Sequence, residues 1–165
     1  MRHLILLRHG KTESVSATGG DFDRRLTERG RLDSALIGRL LADAGLRPDI
    51  ALVSAARRAQ ETWDALAPTF PKSHVETVRQ LYLAAPEQIA AAIDQVAEPL
   101  SVLVVGHNPG LHEYALELTQ RAGAREPRLD GFPTAAAAVF RLDGAAVTLE
   151  SFYLPREHGG GAAWG

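Results

Sequence analysis

The sequence predicts an α/β fold, a three-layer α/β/α sandwich around a mostly parallel central sheet. Aliphatic runs of strand length recur along the chain. Each is followed by a polar loop carrying Arg or His, and then by a segment whose apolar residues fall three and four apart. The stretch Leu100 to Val105, the most hydrophobic in the chain, reads as a strand covered on both faces, as parallel strands are. With 165 residues and 45% hydrophobic content, the chain suits one domain with a single core, placed at residues 1–155. The Gly-rich end, 156–165, reads as a flexible tail.

Leu4 to Leu7 form the first strand, stopped by Gly10. A helix begins near Thr27 and ends at Gly45, with Leu32, Leu36, Leu40 and Ala44 on its inner face. Asp49 to Ser54 is a second strand, followed by a helix from Arg57 to Leu66 that buries Ala59, Trp63 and Leu66 and is ended by Pro68 and Pro71. The run "HVETV" is a strand candidate. Pro86 starts a third helix burying Ile89, Ile93 and Val96. After the run to Val105, Asn108 is suited to cap a helix and Pro109 to begin it, with Leu111, Ala115 and Leu118 inward. Two further runs, "AAAAVFRL" and "AVTLESFYL", predict a closing hairpin.

Composition removes several classes of function. The formal charge is −2 with acidic and basic residues well mixed, so neither a nucleic-acid face nor a polybasic membrane contact is expected. The chain has no cysteine, which excludes disulfides, thiol nucleophiles and thiolate metal sites and favours a reducing compartment. The first strand is too short for a signal h-region, so a cytoplasmic protein is expected.

Ligands of open α/β sheets bind beyond the carboxyl ends of the strands. The loops there offer Arg8 and His9, then Ser54, Arg57 and Arg58, then His107 and Asn108 at a helix N-terminus. Guanidinium forks match phosphate oxygens bidentately, and helix N–H groups add donors. The set therefore reads as a receptor for a tetrahedral dianion. Surrounding cations disfavour imidazolium, so His9 keeps a lone pair able to attack phosphorus. Such a mechanism requires His9 and His107 to stand within roughly 8 Å of each other.

Each residue also has a plainer reading. A histidine at a strand end is commonly a surface or capping residue, and paired arginines in a first helical turn are commonly solvated, although there they oppose the helix dipole. His107, His112 and Glu113 lack the HExxH spacing of a zinc helix, so no metal and no cofactor is expected. His3, His74 and His158 read as surface residues and Trp63 as core.

Four segments together resemble one family. "LRHGKTE" is similar to the Arg-His-Gly signature of the histidine phosphatase superfamily, which includes phosphoglycerate mutases and acid phosphatases. "DRRLTERG" (Asp23 to Gly30), "VSAARRAQET" (Val53 to Thr62) and "VVGHNPGL" (Val104 to Leu111) resemble its next segments, in order. The resemblance implies the phosphoglycerate mutase-like fold, with His9 as nucleophile, Arg8 and Arg58 as phosphoryl-binding groups, and His107 as the second pocket histidine. Arg57 falls on a variable position of the pattern. Thr12 and Asn108 complete the expected phosphate-binding set.

The short chain most resembles the small bacterial phosphohistidine phosphatases, which implies a phosphorylated protein as substrate. Larger members place a glutamate near the segment matching "QLYLAA" to protonate the leaving oxygen. Here the neighbourhood is Arg79-Gln80-Leu81-Tyr82, without a carboxylate. A phosphoramidate leaves as an easily protonated nitrogen base and needs less help than an alkoxide. Glu13, Asp21 and Asp23 remain as candidate acids. A phosphatase of a small phosphorylated metabolite is the alternative enzyme, and a phosphate-binding module without turnover is the alternative of another class.

Overall fold

The computed structural model describes residues 2–161. Six strands form one sheet: β1 (Arg2–Arg8), β2 (Ile50–Ser54), β3 (His74–Val78), β4 (Val102–Gly106), β5 (Ala137–Asp143) and β6 (Ala146–Tyr153). Their order is β3-β2-β4-β1-β5-β6. The first four are mutually parallel, and the β5–β6 hairpin closes the β1 edge in antiparallel fashion. Four helices connect them: α1 (Glu28–Asp43), α2 (Arg57–Leu66), α3 (Pro86–Asp94) and α4 (Gly110–Arg121).

Strand alternation makes the three layers. Leu4 and Leu6 of β1 pack with Ile89 and Ile93 of α3 and Leu111, Ala115 and Leu118 of α4. Ile5 and Leu7, on the opposite face, pack with Ile37 and Leu41 of α1 and Trp63 and Leu66 of α2. Side chains two apart share a face of a strand, so a strand apolar at every position is covered on both sides. The parallel register sets Arg8 opposite Gly106, and β2 ends beside them at Ser54. The carboxyl ends of β1, β4 and β2 therefore lie side by side.

Two expectations are corrected. In α1 the buried face is Gly30, Asp33, Ser34, Ile37, Gly38 and Leu41, while Leu32 is 61% exposed. The reason is close approach: a Cβ on Gly38 would stand 3.2 Å from Leu66 Cγ, and one on Gly30 would stand 2.3 Å from the Lys11 carbonyl oxygen. Gly30 and Gly38 make the closest approaches on this face, with Ile37 and Leu41 filling the core beside them. Asn108 does not cap α4, whose N-cap is Pro109; its amide instead donates to the Phe132 carbonyl at 2.8 Å.

Part of the expected tail lies within the described residues. Pro155–His158 form a short 3₁₀ turn. The Gly161 N–H donates to Asp33 Oδ1 at 3.0 Å, and Arg29 donates to the Gly161 carbonyl, so residues 156–161 are fastened to α1. Residues 162–165 of the expected tail lie outside the described residues. Smaller differences are Leu100 and Val96, which are exposed and half-buried. Among the described residues no helix is long and apolar enough to cross a membrane.

Candidate active site

His9 and His107 follow the ends of β1 and β4, and their ring centroids lie 5.3 Å apart with the planes tilted by 51°. Both side chains are buried. The separation meets the geometric requirement set from the sequence. His9 Nδ1 lies 2.8 Å from the Gly10 carbonyl oxygen. A carbonyl only accepts, so Nδ1 must carry the proton and the lone pair of the neutral ring sits on Nε2. Burial, with help from the charges of His107, Arg8 and Arg58, lowers the His9 pKa to about 3. Burial and Arg58 lower His107 likewise to about 3. Both rings are neutral at pH 7, and His9 holds a nitrogen nucleophile ready.

Two guanidinium groups accompany them, one half-buried on Arg8 and one buried on Arg58. Arg8 Nη1 donates to the Phe132 carbonyl at 3.2 Å, the oxygen that also takes the Asn108 amide. Burial and the Arg58 charge press the Arg8 pKa down, a sign that the two cations share one pocket. Arg58 stands in the first turn of α2 with its side chain only 3% exposed. Its neighbour Arg57 points outward to Glu61 and Asp23. The Gly10 N–H donates to Thr62 Oγ1 at 2.9 Å, and that hydroxyl donates to the Arg58 carbonyl at 2.7 Å. This chain of bonds ties the loop after His9 to α2.

A carboxylate occupies part of this cationic pocket. Arg58 Nη2 is 3.0 Å from Asp21 Oδ2 and its Nη1 donates to the Asp21 carbonyl at 2.8 Å. The Tyr82 hydroxyl donates to the same Oδ2 at 2.6 Å. Tyr82, then Arg58 and Arg24, hold the Asp21 pKa at about 2, so the group is an anion here and not a proton donor. The Tyr82 ring meets His107 edge-on at 5.5 Å, Phe22 at 4.9 Å, and the Arg58 guanidinium at 5.8 Å. The other two candidate acids are also paired, Glu13 with Arg25 and Asp23 with Arg57.

Thus Arg8, His9, Arg58 and His107 come together as the sequence predicts. Thr12 and Asn108 sit at the margin: the Thr12 hydroxyl accepts from Arg24 at 2.7 Å, and Asn108 braces the loop at Phe132. Tyr82 and Arg24 were not legible as site residues, and Ser54 had no role. Tyr82 lies at the segment conspicuous only for lacking a carboxylate; a large polar aromatic beside a 3₁₀ turn was the available signal. Among the described residues no three His, Asp or Glu side chains gather to hold a metal. A cluster of two cations, a neutral nucleophilic imidazole and a second imidazole can accept a phosphoryl group and stabilise its transfer.

The profile of the histidine phosphatase superfamily, branch 1, matches residues 4–82. A crystal structure assigned as the phosphohistidine phosphatase SixA from Agrobacterium tumefaciens is 31% identical, with a TM-score of 0.81 over 93% of this chain and 99% of that one. Its counterpart from Nakamurella multipartitia is 26% identical, with a TM-score of 0.82 over 93% of this chain and 96% of that one. An uncharacterised chloroplast protein of Arabidopsis thaliana is 31% identical over 72% of this chain and 59% of its own length. A 2,3-bisphosphoglycerate-dependent phosphoglycerate mutase of Bartonella henselae is 36% identical over 47% of this chain and 39% of its own length. The matches to these two curated relatives thus span less than two thirds of their length.

Proposed function

The chain belongs to the histidine phosphatase superfamily, close to the small bacterial phosphohistidine phosphatases, and on that premise we propose that it removes phosphate from phosphohistidine on a protein. The observation that carries the reading is the His9–His107 pair, 5.3 Å apart, with the His9 lone pair placed on Nε2 by the Gly10 carbonyl.

His9 Nε2 attacks phosphorus in line, the N–P bond of the substrate breaks, and the departing imidazole nitrogen takes a proton from solvent water. Water then attacks phospho-His9, releasing inorganic phosphate and restoring the neutral ring. Arg8 and Arg58 hold the equatorial oxygens, where charge grows in the transition state, and His107 supplies a further donor. Asn108 and Thr12 act on this reading through the loops that they brace. With Asp21 ionised and Glu13 and Asp23 in ion pairs, none of these three candidate acids is poised for an alkoxide. That suits a nitrogen leaving group. Phe22, packed against Tyr82, and Leu83, next to Tyr82 in the chain, are exposed, and on this reading they are apolar groups for a partner protein that carries the phosphate. The setting that goes with this substrate is the cytoplasm.

The test is loss of labelled phosphate from a phosphohistidine-bearing phosphotransfer domain, by the wild type and by His9→Ala, each with a chelator present. Rapid loss that vanishes in the variant supports the proposal. No loss, together with hydrolysis of a small phosphoester, replaces it with a metabolite phosphatase. Stoichiometric phosphate binding without turnover of either replaces it with a binding module.

A further inference from the structure

Ser54 ends β2 and is completely buried. Its Oγ lies 2.7 Å from His107 Nε2 and accepts the Ala56 N–H at 3.3 Å. Among the described residues no other group hydrogen-bonds to this hydroxyl. On the same ring, His107 Nδ1 is buried and has no hydrogen-bond partner among the described residues.

Two proton arrangements fit the 2.7 Å contact, and counting satisfied groups separates them. If His107 donated from Nε2, the Ser54 proton would lack an acceptor, and Nδ1 would be a buried lone pair lacking a donor. Both orphans would sit in a closed polar site. If Ser54 donates to Nε2, its proton is satisfied, its lone pair still takes the Ala56 N–H, and one group alone is left over: an N–H on Nδ1. A buried hydroxyl donates where an acceptor is in reach, because an unmade bond in the interior forfeits the whole desolvation cost.

The orientation of the ring gives that leftover N–H a use. In the sheet order, β4 stands between β2 and β1. With Nε2 taken by Ser54 on β2, the Nδ1 edge is the one left for another partner, in a ring whose centroid stands 5.3 Å from that of His9. Neutral imidazole carries one proton on two nitrogens, so only the tautomer protonated at Nδ1 donates from that edge.

We propose that Ser54 is a positioning residue: its hydroxyl donates to His107 Nε2, fixing the tautomer in which Nδ1–H is the pocket's donor to a phosphoryl oxygen. That Nδ1–H serves a phosphoryl oxygen rests on the phosphatase reading above; that Ser54 sets the tautomer does not. The two pocket rings then carry their protons on the same atom type for opposite ends. The Gly10 carbonyl makes His9 an acceptor at Nε2, and the Ser54 hydroxyl makes His107 a donor at Nδ1.

The test is a long-range ¹H–¹⁵N correlation spectrum of the histidine rings in the ¹⁵N-labelled full chain at pH 7, for wild type, Ser54→Ala and Ser54→Thr. The expected wild-type pattern for His107 is protonated Nδ1 and unprotonated Nε2, kept in Ser54→Thr and lost or mixed in Ser54→Ala. Turnover of the phosphohistidine domain should fall in kcat by roughly 100-fold in Ser54→Ala and be largely restored in Ser54→Thr. Wild-type His107 protonated at Nε2 overturns the proposal without any variant. An unchanged tautomer in folded Ser54→Ala overturns it as well. A tautomer that moves as expected in a protein that turns over no phosphohistidine upholds Ser54's role and overturns only the substrate reading.

Discussion

Asp21 sits on Arg58 as a phosphate would: its Oδ2 and its main-chain carbonyl take the Nη2 and Nη1 donors at 3.0 and 2.8 Å. The guanidinium proposed to grip the phosphoryl group is therefore already occupied, and the Tyr82 hydroxyl helps to hold the occupant. A dianion entering the pocket has to displace a monoanion.

Removing that competitor should strengthen anion binding. In Asp21→Asn the amide retains shape but not charge, and inorganic phosphate should bind about threefold to tenfold tighter, the worth of about one hydrogen bond. Calorimetric titration of both proteins measures it. Weaker phosphate binding in the variant would mean that Asp21 stays on Arg58 when phosphate is bound. A kcat that falls instead of KM would mark Asp21 as a proton donor in the complex.

The histidine pair makes stability pH-dependent, with a definite sign. His9 and His107 have native pKa values of about 3, against about 6.5 in the unfolded chain. Between those values the unfolded state binds more protons, so stability is complete above about pH 6.5, declines as pH falls toward about 3, and levels off below. The slope approaches about 1.4 kcal/mol per pH unit for each ring in mid-window. Urea midpoints at pH 7, 6, 5 and 4 should fall accordingly. His107→Gln should flatten the dependence, and an equally steep curve in that variant would assign the slope to other groups.

Much of this site was legible because its chemistry is written in residue types at strand ends. Arg8, His9 and His107 stand at the ends of hydrophobic strands and Arg58 in the helix that follows one, so the parallel sheet with α2 brings them together. What escaped reading depends on close approach or on bonds between distant segments. The inner face of α1 is marked by Gly30 and Gly38, whose value lies in the absent Cβ, and counting leucines pointed one residue away from it. Asn108 has the composition of a helix cap, yet its amide is drawn to a carbonyl 24 residues later. Tyr82 meets Asp21 across 61 residues, and no local pattern encodes that pairing.

The assignment of Arg58 rather than Arg57 to the pocket predicts a strong asymmetry. Arg58→Lys keeps the charge but loses the fork that can grip two phosphoryl oxygens, and kcat/KM should fall about 100-fold. Arg57→Lys alters only outward pairs with Glu61 and Asp23, and activity should change less than about twofold. Equal losses would show that Arg57 also reaches substrate.

Gly110 tests whether the pocket depends on the packing beneath it. A Cβ there would lie 1.7 Å from the Ala84 carbonyl oxygen and 2.9 Å from its carbon. Main chain cannot yield as a flexible side chain would, so α4 and the loop after Tyr82 must separate. Gly110→Ala should cost about 3 kcal/mol, read as a lower urea midpoint. It should also weaken phosphate binding, because Tyr82 and His107 lie at the two ends of that contact. Gly131→Ala is the matched control: its Cβ meets nothing within 4 Å, and its φ of −138° suits any residue, so stability should stay within about 0.5 kcal/mol. A folded Gly110→Ala with unaltered midpoint and phosphate affinity would show that this contact does not hold the pocket, and that the placement of Tyr82 against His107 comes from Asp21 and Phe22 alone.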